Sequence, residues 1–229
     1  MVGNKTINHS DPAYLPGFEV QYEAETHALL IEHLRLSLKV GLFLYIGFYL
    51  LDYVSVPPDV SLSVFLIVRL SVLVVGACII AATYWEKTEP FSLHCSVLLL
   101  LFASFGITYM TSLLGGFESD YYIGNMLILF FVGLFMPWHL GITLLFSLLM
   151  CIPYFALNLA LFGPSLAMIS PLFFLVGTSA FTCFSATARD KNRRRDLALR
   201  LQLELANDEL KELDEAKTRF FANVSHELR

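Results

Sequence analysis

The chain has 229 residues, of which 56% are hydrophobic and 15% are charged, and its formal net charge is −5. Soluble domains average about 45–50% apolar and about 25% charged residues, so this composition excludes an ordinary soluble protein and indicates a membrane protein. The net charge says little, because six of the fifteen Lys and Arg residues are concentrated between Arg189 and Arg200. A basic patch that follows an apolar stretch is typical of a membrane-edge anchor and not of a nucleic-acid site.

The N-terminal segment, residues 1–35, predicts a polar stretch followed by an amphipathic helix. Residues 1–22 are polar, and no apolar run begins until about residue 36, so we expect no cleavable signal sequence. Within residues 23–39, Ala28, Ile31, Leu34 and Leu38 recur at helical spacing. We therefore expect a juxtamembrane helix that leads into the first membrane span.

Six apolar stretches follow, at 37–54, 62–84, 92–114, 122–137, 140–162 and 166–187. A helix needs about 20 residues to cross a bilayer, and the fourth stretch is short. Prolines, glycines and charged residues separate the stretches, as in Pro57-Pro58-Asp59. The predicted fold is an all-α membrane protein with six transmembrane helices in residues 36–188.

The basic residues predict how these spans are oriented. The sequence ARDKNRRR follows the sixth stretch, which places its end in the cytoplasm. Six spans then place the N-terminus in the cytoplasm as well. In that arrangement every Lys and Arg except Arg69 lies on the cytoplasmic side, which supports an even number of spans.

Residues 189–215 predict a long cytoplasmic coiled-coil signalling helix. Apolar positions alternate in steps of four and three along this helix and beyond it, with one lysine among them: Leu199, Leu203, Ala206, Leu210, Leu213, Lys217, Phe220 and Val224. This is a heptad pattern. Because one such stripe cannot bury itself, we expect a homodimer.

The last ten residues, FFANVSHELR at 220–229, carry the most specific motif. The string resembles the phosphoacceptor box of bacterial sensor histidine kinases, whose family pattern continues with Thr-Pro-Leu. The resemblance implies that residues 216–229 begin a dimerisation and phosphotransfer domain of the HisKA type, that the chain is a truncated piece of a longer protein, and that it lies in the bacterial inner membrane.

The same resemblance assigns chemistry to two residues. His226 would be the phosphoacceptor, and Glu227, next to it on the helix, would act as general base. ATP and Mg²⁺ would be bound by a catalytic domain beyond Arg229, since no phosphate-binding motif is present in these residues. We therefore expect no cofactor in this fragment and no activity of the fragment alone. The phosphate would pass to the receiver domain of a response regulator.

Arg69 is the only ionised side chain well inside a predicted span. Such residues are costly in a bilayer, so they line a cavity or pair with an acid. Candidate partners are Asp52, Glu118 and Asp120. Two alternatives stay open: a structural ion pair, or a ligand site to which Tyr122 and Asn125 contribute in the outer half of the bundle.

The membrane region also resembles known sensor modules. The arginine in the second stretch, Tyr121-Tyr122-x-Gly124 and Met136-Pro137-Trp138 are similar to positions in the membrane sensor modules of bacterial histidine kinases and of some nucleotide cyclases. This resemblance implies a small-molecule or lipid stimulus of unspecified identity. No Cys or His residues show metal-ligand spacing, so we expect no metal site.

Three other functions compete with the sensor-kinase prediction. A transporter or channel fused to a regulatory helix predicts polar residues in several spans, and few are present. A lipid- or thickness-sensing module would have no discrete ligand site and would respond to membrane lipids directly. A receptor module of a nucleotide cyclase would lack the phosphoacceptor box.

Overall fold

The computed structural model describes residues 18–84 and 91–227. Over these ranges the chain is helical and contains no β-strand, which confirms the all-α prediction. There are seven α-helices among the described residues: α1 (Phe18–Gly47), α2 (Tyr49–Ser55), α3 (Leu62–Ala82), α4 (Ser92–Leu113), α5 (Ile123–Phe135), α6 (Leu140–Phe162) and α7 (Ile169–Glu227).

Five helical stretches in the described part are long and apolar enough to cross a bilayer: Phe18–Val54, Leu62–Ala82, Leu93–Leu113, Leu140–Phe162 and Leu166–Phe221. The predicted fourth span, 122–137, corresponds to the shorter stretch Asp120–Phe135. Helix α5 has 13 residues, or about 20 Å at 1.5 Å per residue, against about 30 Å of hydrocarbon. The count of six spans therefore stays a prediction.

The end of α5 has a local cause. Met136 leaves the helix in an extended conformation, with φ −85° and ψ 122°, and the next residue is Pro137. Proline disfavours helical geometry in the residue that precedes it. Met136 and Pro137 are themselves apolar. Composition alone therefore extended the predicted helix to residue 137.

The chain divides into two compact units. One is Thr26–Arg189, and the other combines the residues up to Glu25 with those from Asp190 onward. In the first unit, α4 packs against α3, α5 and α6, and the core includes Phe65, Met110, Leu129, Phe146 and Met150. The predicted apolar face of the juxtamembrane helix is confirmed for Ile31, Leu34 and Leu38, which are buried on α1, while Ala28 is exposed.

The second unit joins the start of α1 to α7. Phe18 and Tyr22 form a small apolar cluster with Leu197 and Ala198. Beyond this cluster, every residue from Gln202 to Phe221 is exposed. The predicted heptad stripe is therefore uncovered in a single chain from Leu203 to Phe220, and the homodimer stays a prediction.

Candidate functional site

Arg69 and Asp52 form a buried ion pair between α3 and α2. Arg69 Nε lies 2.5 Å from Asp52 Oδ2, and Arg69 Nη2 lies 2.8 Å from Asp52 Oδ1. The two residues are 3% and 0% exposed. This two-point geometry is the strongest that a guanidinium and a carboxylate can form. Of the three predicted partners, the structure selects Asp52.

The break between α1 and α2 places Asp52 opposite Arg69. Helix α1 ends at Gly47, and α2 restarts at Tyr49. The Asp52 N–H donates to the Phe48 carbonyl over 3.1 Å, so the chain continues in the same direction for two more turns. Val56 then becomes extended ahead of Pro57-Pro58, which ends α2 one turn beyond Asp52.

Two tyrosines complete the environment of the ion pair. Arg69 Nη2 donates to the Tyr121 hydroxyl over 2.7 Å, and that hydroxyl donates to Asp52 Oδ1. Arg69 Nη1 donates to the backbone carbonyl of Tyr45 over 2.6 Å, and its guanidinium lies 5.1 Å from the centre of the Tyr45 ring. We call Arg69, Asp52, Tyr121 and Tyr45 the arginine cluster.

Glu118 and Asp120, the other predicted partners of Arg69, do not pair with it. Both side chains are exposed in the loop between α4 and α5. The 3-10 turn Asp120–Tyr122 directs Tyr121 toward the cluster instead. Asp120 lines a groove that begins at the arginine cluster, whereas Glu118 does not line that groove.

The structure does not bring the predicted pocket residues Arg69, Tyr122 and Asn125 together. The Tyr122 hydroxyl lies 3.2 Å from Ser170 Oγ, and its ring stacks on Phe174, both on α7. Asn125 is fully buried between α4 and α5, where it accepts from Ser104 and donates to Thr108. Both residues join helices to each other, and neither reaches Arg69.

Sequence reasoning missed the contribution of Tyr121. The sequence holds two adjacent tyrosines, and consecutive residues in a tight helical turn project about 100–120° apart. Only one of the pair can face α3. Nothing in the residue types says which one, because both tyrosines carry the same hydroxyl.

A groove of about 750 Å³ runs from the arginine cluster along the bundle. Helices α1 and α2 form one wall and α5 the other, with parts of α3 and α4 as the floor. The polar residues on its lining are gathered at one end and are Asp52, Arg69, Ser119, Asp120, Tyr45 and Tyr121. The remaining lining is apolar and includes Leu38, Leu42, Leu127, Phe131 and Leu134.

Helix α5 separates this groove from α7. Leu127 and Phe131 face the groove. On the other side, Thr182 of α7 donates to the Leu129 carbonyl over 3.0 Å. The ring of Phe130, which also lines the groove, meets the ring of Phe181 of α7, with centroids 5.5 Å apart. Helix α5 therefore contacts both the groove and α7.

The predicted phosphoacceptor lies at the end of α7. The backbone of His226 and Glu227 is helical, and their side chains lie outside the described part of the structure. In the described residues, no group of three His, Cys, Asp or Glu side chains is arranged to hold a metal ion. Cys78, Cys95, Cys151 and Cys183 are all free thiols.

The fold and the cluster define an all-helical membrane protein with a charged site beside an apolar groove. Residues 50–204 match the family model named MASE8. Because this match covers more than half of the chain, the protein belongs to the MASE8 family of membrane-associated sensor domains. No curated protein matches the chain, and no solved structure does.

The family match covers only part of the chain. It includes Asp52, Arg69 and Tyr121, so the whole ion pair lies inside the sensor family region. It ends at residue 204, before the phosphoacceptor string at 220–229. The family identifies a membrane sensor, and the output of that sensor is a separate question.

Proposed function

We propose that this chain is the membrane sensor part of a two-component histidine kinase. The proposal rests on the string FFANVSHELR, which follows a membrane-associated sensor domain. One continuous helix, α7, runs from that domain to Glu227 within the string. His226 would accept the phosphoryl group. Glu227 would hold the imidazole and take its proton.

The rest of the reaction depends on parts outside this chain. A separate domain would supply ATP and Mg²⁺, because phosphoryl transfer needs charge stabilisation around the γ-phosphate. A response-regulator receiver would take the phosphate from His226. The protein would act as a homodimer in the bacterial inner membrane, with both termini in the cytoplasm, and the uncovered apolar stripe of α7 would form the dimer contact.

The single observation that carries the sensing role is the arginine cluster at the end of the groove. A buried ion pair is weak evidence for stability, because well-packed apolar residues often serve equally well. Here the pair lies against a groove instead of inside a closed core, and a ligand can therefore reach it. Its placement favours a binding role over a purely structural one.

The route from this site to the kinase would run through α5. A ligand between α1 and α5 would displace α5, and the Thr182–Leu129 and Phe130–Phe181 contacts would pass the displacement to α7. The ligand can shift the signalling equilibrium only by the difference between its affinities for the two helix arrangements. This account needs no folded domain outside the membrane.

The decisive experiment uses the full-length kinase in nanodiscs with ATP and its receiver domain. We expect His226→Gln to abolish phosphorylation of both proteins, because glutamine has no nucleophilic nitrogen. His27→Gln, which changes an exposed histidine of α1, is the control and should retain full phosphotransfer. Normal phosphotransfer by His226→Gln would refute the proposal.

A receptor module for another output enzyme, such as a nucleotide cyclase, is the second candidate. It is favoured by one observation, namely that the family region ends before the phosphoacceptor string. A transporter or a lipid-thickness sensor has no comparable support. Fusing residues 1–204 to a cyclase domain and finding stimulus-dependent cyclase activity would show that the sensor is independent of its output.

A further inference from the structure

We propose that the groove binds an uncharged single-chain amphiphile whose oxygen-bearing head lies at the arginine cluster. This inference rests on the proposed sensing function and adds the chemical class of the stimulus. Three properties of the groove carry it: its shape, the charge at its polar end, and the hydrogen-bond donors that this end presents.

The shape of the groove fits one extended chain. Its α1–α2 wall extends from Leu38 to Asp52, which is about 21 Å of helix at 1.5 Å per residue. The ring of Phe131 lies opposite Gly41, and the nearest ring atom would be 3.5 Å from a Cβ at that glycine. The two walls are therefore in contact at this point, and the part of the groove that can hold a chain beside the arginine cluster runs from Gly41 to Asp52, which is about 17 Å of helix.

The charges at the polar end select against anionic heads. The three loops at this end of the bundle, residues 56–61, 114–122 and 163–168, contain Asp59, Glu118 and Asp120 and no lysine or arginine. Among the described residues that line the groove, Arg69 is the only cation, and Asp52 already neutralises it. A phosphate or carboxylate head would meet acidic residues without a free cation, which costs energy in an environment of low dielectric constant.

The hydrogen bonds at this end favour a neutral oxygen acceptor. Arginine has five N–H donors, and the four bonds described above engage Nε once, Nη1 once and Nη2 twice. Ser119 accepts from the Tyr121 backbone N–H, which leaves its own hydroxyl hydrogen as a donor. The side chains of Arg69 and Ser119 both line the groove. A hydroxyl or carbonyl oxygen would satisfy these donors without adding charge.

Photoaffinity labelling of the full-length protein in phosphatidylcholine nanodiscs tests this directly, without a kinase readout. The probe is dodecanol with a diazirine in its chain, and the same chain with a carboxylate or an amine head provides two matched probes. We expect the alcohol to label α1 and α5 at the groove and unlabelled dodecanol to compete. The carboxylate should label the groove about tenfold less, which corresponds to about 1.4 kcal/mol.

A matched pair of variants separates the groove from general lipid contact. Leu127→Trp fills the groove, and we expect it to reduce labelling of α1 by the alcohol about tenfold. Leu145→Trp adds the same side chain on α6, at an exposed position that does not line the groove, and should leave labelling unchanged. Retained circular dichroism and gel-filtration profiles establish that both variants fold.

Several results would overturn the proposal. They are equal labelling of all lipid-facing helices, labelling that Leu127→Trp does not change, and stronger labelling by the carboxylate or the amine. Labelling of the groove by a diazirine phosphatidylcholine that dodecanol cannot displace would assign the groove to bilayer lipid instead. None of these results bears on phosphorylation of His226, so the ligand class and the kinase assignment fail separately.

Discussion

Two arginines of this protein form ion pairs in opposite surroundings. Arg69 pairs with Asp52 where their side chains are 4% and 1% exposed, and Arg194 pairs with Glu19 over 2.9 Å where the side chains are 40% and 59% exposed. The chemical groups are equivalent, but water and salt screen only the second pair. Because the first pair is buried, the loss of one partner destabilises the protein, whereas the second pair is a weak surface contact.

The exposed pair still has a defined arrangement. Arg194 Nε lies 3.2 Å from Asp190 Oδ2, and the guanidinium lies 4.3 Å from the centre of the Tyr22 ring. Burial by itself lowers the pKa of Arg194, but the hydrogen bonds to Glu19 and Asp190 outweigh it, and the pKa is raised above its usual value. The arginine is therefore charged at every pH near neutrality.

The largest expected effect comes from removing one partner of the buried pair. Asp52→Leu leaves Arg69 without its carboxylate, and we expect the free energy of unfolding to fall by about 3–5 kcal/mol. Thermal unfolding in nanodiscs measures the loss. Asp59→Leu, at a neighbouring exposed acid, is the control and should change little.

The double variant Asp52→Leu/Arg69→Leu sharpens this test. Because it removes both charges, it should recover most of the stability that Asp52→Leu loses. If the double variant is as unstable as Asp52→Leu alone, the uncompensated charge is not the cause of the loss.

A smaller effect should distinguish the two adjacent tyrosines. Tyr121→Phe removes a hydroxyl bound to both members of the ion pair, and hydrogen bonds to charged groups contribute about 1.5–3 kcal/mol. Tyr122→Phe removes a bond to a neutral serine, for which we expect about 0.5–1.5 kcal/mol. Unfolding of the two variants under identical conditions ranks them. A larger loss for Tyr122→Phe would contradict the arrangement of the arginine cluster.

The smallest effect is expected at the exposed pair. Glu19→Gln should lower the free energy of unfolding by less than about 1 kcal/mol, and high salt should remove this difference. Glu23→Gln, which changes an exposed glutamate one turn along α1, is the matched control. A loss at Glu19 as large as that of Asp52→Leu and insensitive to salt would show that burial is not what separates the two pairs.

Sequence reasoning identified some members of the arginine cluster and not others. Arg69 stood out because it is ionised within an apolar stretch, and Asp52 was among its candidate partners because it ends the stretch before it. Tyr45 contributes a backbone carbonyl, and every residue carries that group. Its role depends on where α1 passes α3, and no residue type signals that.

The amino-acid sequence by itself determined the membrane character, the helical fold and the string that ends in His226, because these depend on composition and on local patterns. Tertiary structure decided that Tyr121, and not Tyr122, completes the ion pair, that Asn125 joins α4 to α5, and that α5 separates a groove from α7. These features depend on how each helix is rotated about its axis. In helices that are apolar on most faces, that rotation is set by packing against neighbours and not by periodicity.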